Sequence, residues 1–416
     1  MNILWTTNIT LPIIAEKAGV KKENKEGWLL SLAESITVDK DVKLGIISFE
    51  PSLSEPVELE FEGINYFVLP SSYFADRKNK VLEEWVLKLK ITFAPDLLHI
   101  NGTEYGYGLI LLSMLEIPSV ISIQGLVSVC ARYLFLGFDM SYLVKHPLFF
   151  LWLYRNYKDY TNRGKRECDY FKAVNHAIGR TKWDEIHVRQ INPTIVYHHC
   201  DENMRLSFYR HKWDIKEIKR HQIYISQASY QIKGFHLILD ALVELKKDYP
   251  DLRVCIGGKN PLNYSLSIID KIKSRFDYGY YLKRMIKKRN LEENIYFLGN
   301  LKEEEVVMYM LSSHVTLLPS TIENSPNSLC EAQCLGVPCV ASYVGGTPDL
   351  TDNGKLSLLY RCEEWEILVQ YVKKIFESDE FAMQLSNKSR AVALKRHDHS
   401  ENAKTMLNIY KEIISK

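Results

Sequence analysis

The sequence predicts an α/β protein made of two Rossmann-like, doubly wound domains facing a central crevice. Three observations carry this. Short apolar runs alternate with helical patterns along the chain. The alternation starts afresh after about residue 215. Within the second half, VTLLP from Val315 followed by TIENSPNSLCEAQCLGVPCVASYVGGTPDL, from Thr321 to Leu350, carries strand, helix and strand signals in the order of a βαβ unit.

In the first half NILWTTN, KLGIISFE, YFVLP, DLLHIN and SVISIQG read as strands, and 80–93 and 107–116 as helices. In the second half QIYISQA, LRVCIGG, IYFLGN, VTLLPS and VPCVAS read as strands, again separated by helical segments. Fully apolar strands separated by helices imply parallel sheets covered on both faces. Ligands are then expected at the carboxyl ends of the strands. The expected division is 1–205, 206–397 and a C-terminal helix at 398–416, with a polar hinge near 200–218.

Composition narrows the functional classes. The chain has 416 residues, enough for two full cores, with 46% hydrophobic and 25% charged residues. A net charge of +2 gives no bulk attraction to nucleic acid. The eight cysteines are scattered, and Cys330, Cys334 and Cys339 lack a zinc spacing, so reduced thiols in a cytoplasmic protein are expected. The start, MNILWTTNIT, lacks a signal-peptide pattern, and no apolar run reaches spanning length.

The Thr321–Leu350 stretch carries the chemistry. Ser325 reads as an N-cap, Pro326 as the first helical residue and Gly336 as the helix stop. A helix opening after a parallel strand presents free amides to an anion. Glu331 lies about five residues into that helix, roughly 7–8 Å along its axis. A carboxylate there suits sugar hydroxyls rather than phosphate. Glu323 precedes the helix. The arrangement fits a nucleotide-sugar: diphosphate at Asn324–Asn327, ribose at Glu331, donor hexose at Glu323.

This stretch resembles the signature of retaining glycosyltransferases of the GT-B fold, family 4. It keeps the two glutamates eight positions apart, the following Ala332 and the Gly336-Val337-Pro338 tail, but has Asn324 and Pro326 at common glycine positions. The resemblance covers most of the second domain and the first loosely. It implies a phosphate role for Lys233, which sits at a strand-to-helix turn. The family's arginine six positions earlier is here Gln227. It implies a glycine loop over the donor phosphates, of which only Gly27 remains, and backbone contacts near Gly258 and Asn300. Gly27 and Gly258 read equally well as a helix start and a plain turn. Gln124 stands where related enzymes often carry His; it cannot act as a base but can hydrogen-bond the donor sugar. His99, Glu104 and Arg180 are candidates for the acceptor side, with His99 also readable as a core histidine.

The implied activity is retaining transfer from a nucleotide-sugar, UDP-linked by preference or GDP-linked, to a carbohydrate or lipid-linked saccharide. Bacterial surface polysaccharide synthesis is the setting it suggests. Neither metal nor resident cofactor is expected. A non-catalytic subunit aiding a partner transferase, motivated by Gln227 and Gln124, and a sugar-nucleotide epimerase are the other readings. The aromatic-basic segment from Arg132 to Lys172 reads either as an interfacial helix on the cytoplasmic face of the membrane or as a buried helix with a basic end.

Overall fold

Eight strands form the first sheet: β1 Asn2–Thr7, β2 Lys43–Glu50, β3 Val57–Phe61, β4 Ile64–Pro70, β5 Leu97–Asn101, β6 Ser119–Ser122, β7 His176–Gly179 and β8 Val196–His199. Their order is β3-β4-β2-β1-β5-β6-β7-β8, and each neighbouring pair is parallel except β3 with β4. The computed structural model describes residues 1–8, 10–17, 19, 27–74, 79–262 and 276–415. The burial pattern explains the order. β5, LLHIN, is buried at every position, as an inner strand must be, whereas β3, VELEF, has no buried residue and closes an edge. β1 pairs with β2 on one side and β5 on the other, so the chain reverses its direction of travel between β1 and β5. That is the topological switch point of this sheet.

The first compact unit comprises Met1–Ser128, Asn162–Arg205 and His397–Lys416. Its C-terminal helix, His399–Ile414, buries Ala403, Met406, Leu407, Tyr410 and Ile413, a one-sided helical stripe that joins Leu29, Leu32, Ala33 and Ile36 of the helix Gly27–Ile36 in one core. Tyr410 also ties this helix to the sheet. Its hydroxyl accepts from Trp5 Nε1 at 2.9 Å and lies 2.6 Å from His99 Nδ1. His99 Nε2 lies 2.7 Å from Ser122 Oγ. A donating Tyr410 hydroxyl fixes Nδ1 as acceptor and Nε2–H as donor to Ser122. Of the two readings of His99, the structure corrects the acceptor-side one and shows the core histidine: it is wholly buried and both ring nitrogens are engaged inside the core.

The second sheet contains β9 Gln222–Ile225, β10 Arg253–Gly257, β11 Ile295–Gly299, β12 Val315–Leu318, β13 Cys339–Ser342 and β14 Leu358–Tyr360, ordered β11-β10-β9-β12-β13-β14 and parallel at each pairing. Its switch point lies between β9 and β12. The second unit comprises Val129–Thr161 and Leu206–Arg396. Trp213, in the segment read as a polar hinge, is buried and donates from its backbone to Leu335 O and from Nε1 to Ser313 O, both at 2.8 Å. Residues 129–161 differ from the sequence-derived boundary at 205, because they pack with this unit. Phe138 stacks on His236 with ring centroids 4.7 Å apart, and Phe149 on Tyr281 at 5.5 Å. His236 Nε2 donates to Leu136 O at 2.9 Å, leaving Nδ1 to accept from the Tyr278 hydroxyl at 3.0 Å. The eight cysteines are free, and six of them are buried.

Burial holds His99 neutral, with its pKa pushed down to about 3, and His236 down to about 4, where the Leu136 carbonyl offsets only part of the burial effect. The unfolded chain takes up these protons near pH 6.5. The stability contributed by each neutral ring is thus complete above about pH 6.5 and is lost as pH falls towards the folded value, at roughly 1.4 kcal/mol per pH unit per histidine. Urea unfolding of wild type and His99→Gln at pH 7.5, 6 and 5 should show the stability gap between them narrowing as pH falls. A gap independent of pH would contradict the neutral, buried assignment.

Candidate functional site

Two loops meet at the switch point of the second sheet. β9 is followed by Gln227, a 3₁₀ turn over Gln231–Lys233, Gly234 and the helix Leu239–Asp248. β12 is followed by Pro319 to Pro326 and the helix Asn327–Leu335. Gly234 has φ +66°, and a side-chain carbon there would fall 1.8 Å from the Pro319 carbonyl oxygen. Only glycine permits that backbone approach. The contact is sealed by Thr321 N donating to Ile232 O at 2.8 Å. On the other flank Gly345 has φ +53°, and a side-chain carbon there would fall 1.7 Å from Glu323 O. Gly346 N donates to that same carbonyl at 3.1 Å. The β12 loop is thus clamped between two glycines.

The clamp brings Lys233 and Glu323 together. Lys233 Nζ lies 2.6 Å from Glu323 Oε1, and Ser320 Oγ donates to the same oxygen at 2.6 Å. Side-chain exposures of 22% for Lys233 and 14% for Glu323 leave both reachable by a ligand. Burial pulls the Lys233 ammonium down, but the Glu323 carboxylate and Tyr230 outweigh it, so its pKa is raised and it stays charged. Lys233 also lies over the Tyr230 ring, 5.7 Å from its centre.

The helix Asn327–Leu335 begins one residue later than the sequence signals suggest. Pro326, not Ser325, is the N-cap, and it supplies no side-chain bond. The reason is local: Pro326 has ψ 112°, an extended value, while its carbonyl accepts from Leu329 N at 3.0 Å. Without a side-chain cap, the amides of Asn327 and Ser328 are available to an anion. Gly336 ends the helix at φ +79°. Asn324 is buried just before the helix, Ser325 and Asn327 are half-exposed, and Glu331 is half-exposed one turn in.

Three further strand ends lie alongside. Gln227 donates from Nε2 to Ser229 Oγ at 2.7 Å. A side-chain carbon on Gly258 would touch Gln227 Cγ at 3.4 Å, and Gly258 bridges to Gly299, next to the exposed Asn300. Lys259 follows Gly258 and is exposed. Sequence reasoning missed it, because the only cue is a lysine one residue past a glycine pair.

In the first unit Gln124, Glu104 and Arg180 lie just beyond β6, β5 and β7. Glu104 accepts from Asn8 Nδ2, across the β1/β5 switch point, and is half-exposed. Arg180, expected on the acceptor side, is buried instead. Its Nη2 lies 2.8 Å from Glu202 Oε1, donates to Ile123 O at 2.7 Å and reaches Gln124 Oε1 at 3.4 Å. The guanidinium thus sets the orientation of Gln124. Glu167, fully buried, accepts from Val127 N at 2.7 Å and from Ser128 N at 3.1 Å, holding the turn after Gln124. Burial raises the pKa of this carboxyl, against the hydrogen bonds from Ser128 and Val127. Neither Glu202 nor Glu167 carries a sequence signal. Gly27 opens a helix, and residues 20–26 before it lie outside the described residues.

Known proteins share part of this sequence and the fold. Residues 207–392 match the family described as glycosyl transferases group 1. The N-acetyl-alpha-D-glucosaminyl L-malate synthase of Bacillus anthracis is 23% identical over 204 residues, 48% of this chain and 48% of that protein. The D-inositol 3-phosphate glycosyltransferase of Corynebacterium urealyticum is 24% identical over 185 residues, 44% of this chain and 41% of its own. The chain therefore spans less than half the length of these relatives. Among solved structures, sucrose-phosphate synthase from Thermosynechococcus elongatus superposes with a TM-score of 0.71 at 14% identity, covering 99% of both chains. HepE of Anabaena, solved with UDP, gives 0.67 at 16% identity over 99% of this chain and 100% of its own. At these identities the likeness establishes the fold. Residues 207–392 are thus similar to the glycosyl transferases group 1 family, and the fold of the chain is GT-B.

Proposed function

We propose that this chain is a retaining glycosyltransferase that moves a sugar from a nucleotide-sugar, UDP-linked by preference, to a saccharide or lipid-linked saccharide acceptor in surface polysaccharide assembly. The observation that carries the reading is the Lys233–Glu323 pair at a parallel-sheet switch point, beside a helix start with no side-chain cap. Support for a UDP donor comes from HepE, solved with UDP and with UDP-glucose.

The roles follow from charge. Without donor, Lys233 and Glu323 neutralise one another. A bound diphosphate competes for the ammonium and lies against the amides of Asn327 and its neighbours. Glu323 is then free to accept hydrogen bonds from the donor sugar. As the glycosidic C–O bond breaks, negative charge grows on the leaving diphosphate, where Lys233 and the helix start stabilise it. The leaving oxygen takes the acceptor's proton on the same face of the sugar, so no protein base is needed. Arg180 holds Gln124 just beyond β6, and Glu331 accepts from the ribose. Lys259, the residue after Gly258 at the neighbouring strand end, supplies the second phosphate charge. The reaction uses no resident cofactor.

A thermal-shift screen of UDP-, GDP- and ADP-sugars, followed by nucleoside diphosphate release with acceptor saccharides, tests the reading. Stabilisation by a nucleotide-sugar and acceptor-dependent release are expected. Binding without release or transfer would favour the non-catalytic subunit, and no binding by any nucleotide-sugar would overturn both.

Lys233→Ala should lose about 2–4 kcal/mol of transition-state stabilisation, roughly a 30- to 1000-fold drop in kcat/KM. Glu323→Gln should lower kcat strongly, while Glu331→Ala should mainly raise the donor KM; wild-type kinetics in both would refute the assignment. Lys259→Ala should weaken donor binding, and Gln227→Arg in the same background should restore it. Weakening that Gln227→Arg leaves unrepaired would place Lys259 outside the phosphate site.

A further inference from the structure

Residues 129–161 leave a second surface unaccounted for. One side of this segment is anchored by Phe138 and Phe149, both buried against the second unit. The other side is apolar yet exposed. On the helix Met140–Lys145, Met140 and Val144 are 69% and 76% exposed, and on the helix that starts at Pro147, Leu148 and Leu151 are 51% and 42% exposed. Beside them Phe150, Tyr154 and Tyr157 form an exposed ladder with successive ring centroids 6.2 Å apart. Exposed apolar side chains at this density mark an interaction surface.

The charge around this patch identifies the partner. Over residues 129–161 four lysine and arginine side chains stand against two carboxylates, Asp139 and Asp159. Lys158 lies over the Tyr154 ring. A second basic element sits alongside. The helix Tyr278–Lys288 buries Tyr281, Leu282 and Ile286, and exposes Lys283, Arg284, Lys287 and Lys288 on its other face. It is joined to the first by Arg284, whose Nη1 lies 3.2 Å from His146 Nε2 and whose guanidinium lies 5.8 Å from the Tyr142 ring centre. Apolar and aromatic side chains ringed by lysine and arginine suit the boundary of an anionic bilayer, where the former enter the headgroup region and the latter meet lipid phosphates. A second copy of the chain on the same patch would set basic face against basic face. Among the described residues no helix is long and apolar enough to cross a membrane, so the contact is one of lying on the surface.

We infer that the exposed face of 140–157, together with the basic face of Tyr278–Lys288, docks the second unit onto an anionic lipid surface. This inference does not rest on the proposed transfer chemistry. The test is co-sedimentation of the full chain with vesicles of phosphatidylcholine, with and without phosphatidylglycerol. Binding should need phosphatidylglycerol and weaken on the order of tenfold or more at high salt. Val144→Asp with Leu148→Asp, and separately Lys283→Glu with Lys287→Glu, should each weaken it on the order of tenfold or more. These residues are exposed, so Tm and transfer to a soluble acceptor should stay at wild-type values. Equal sedimentation with both vesicle types, or variants that bind as well as wild type, would overturn the inference. So would sedimentation equilibrium showing a dimer that Val144→Asp with Leu148→Asp dissociates.

Discussion

The contact between Lys233 and Glu323 is the interaction on which the candidate site depends. It joins residues 90 positions apart in sequence and exists because two parallel strands, β9 and β12, are neighbours at a switch point. The side chains alone would not hold it, since a half-exposed ion pair contributes little on its own. The backbone holds it. Gly234 against Pro319 and Gly345 against Glu323 fix the β12 loop from both flanks, so the carboxylate is presented rather than left to find its partner. An ammonium already paired inside the site is a cation kept charged, which is what the proposed diphosphate contact requires.

Much of the fold could be read from the sequence because buried parallel strands are written as uninterrupted apolar runs. KLGIISFE coincides with β2, and the helix expected at 80–93 forms over Lys80–Thr92. Strand β3 was not legible, since VELEF is an edge strand with no buried residue. The two glutamates and the Gly-Gly after them were legible because turn glycines and helix punctuation are local. The physical reason for Gly345, its approach to Glu323 O, appears only in three dimensions.

What the sequence left unread depends on distant partners. Segment 129–161 packs through Phe138 onto His236 and Tyr281, more than 90 residues further on, so no local pattern could assign it to the second unit. His99 stands in the apolar strand β5, and the residues that make it a core histidine are Trp5, Ser122 and Tyr410. Arg180 looked available until Glu202 and the Ile123 carbonyl were seen to hold it. In the last two cases a polar side chain that was a candidate for the acceptor side has internal hydrogen bonds, which is the usual state of a buried polar group.

The central claim is that the donor diphosphate and Glu323 compete for one ammonium. Calorimetric titration with UDP, which has no sugar to engage Glu323, tests this directly. The account predicts that Glu323→Gln binds UDP more tightly than wild type, because Lys233 loses its competing carboxylate and the site loses a negative charge. It also predicts that the gain disappears when Lys233→Ala is added. UDP binding that is unchanged or weakened in Glu323→Gln would contradict it.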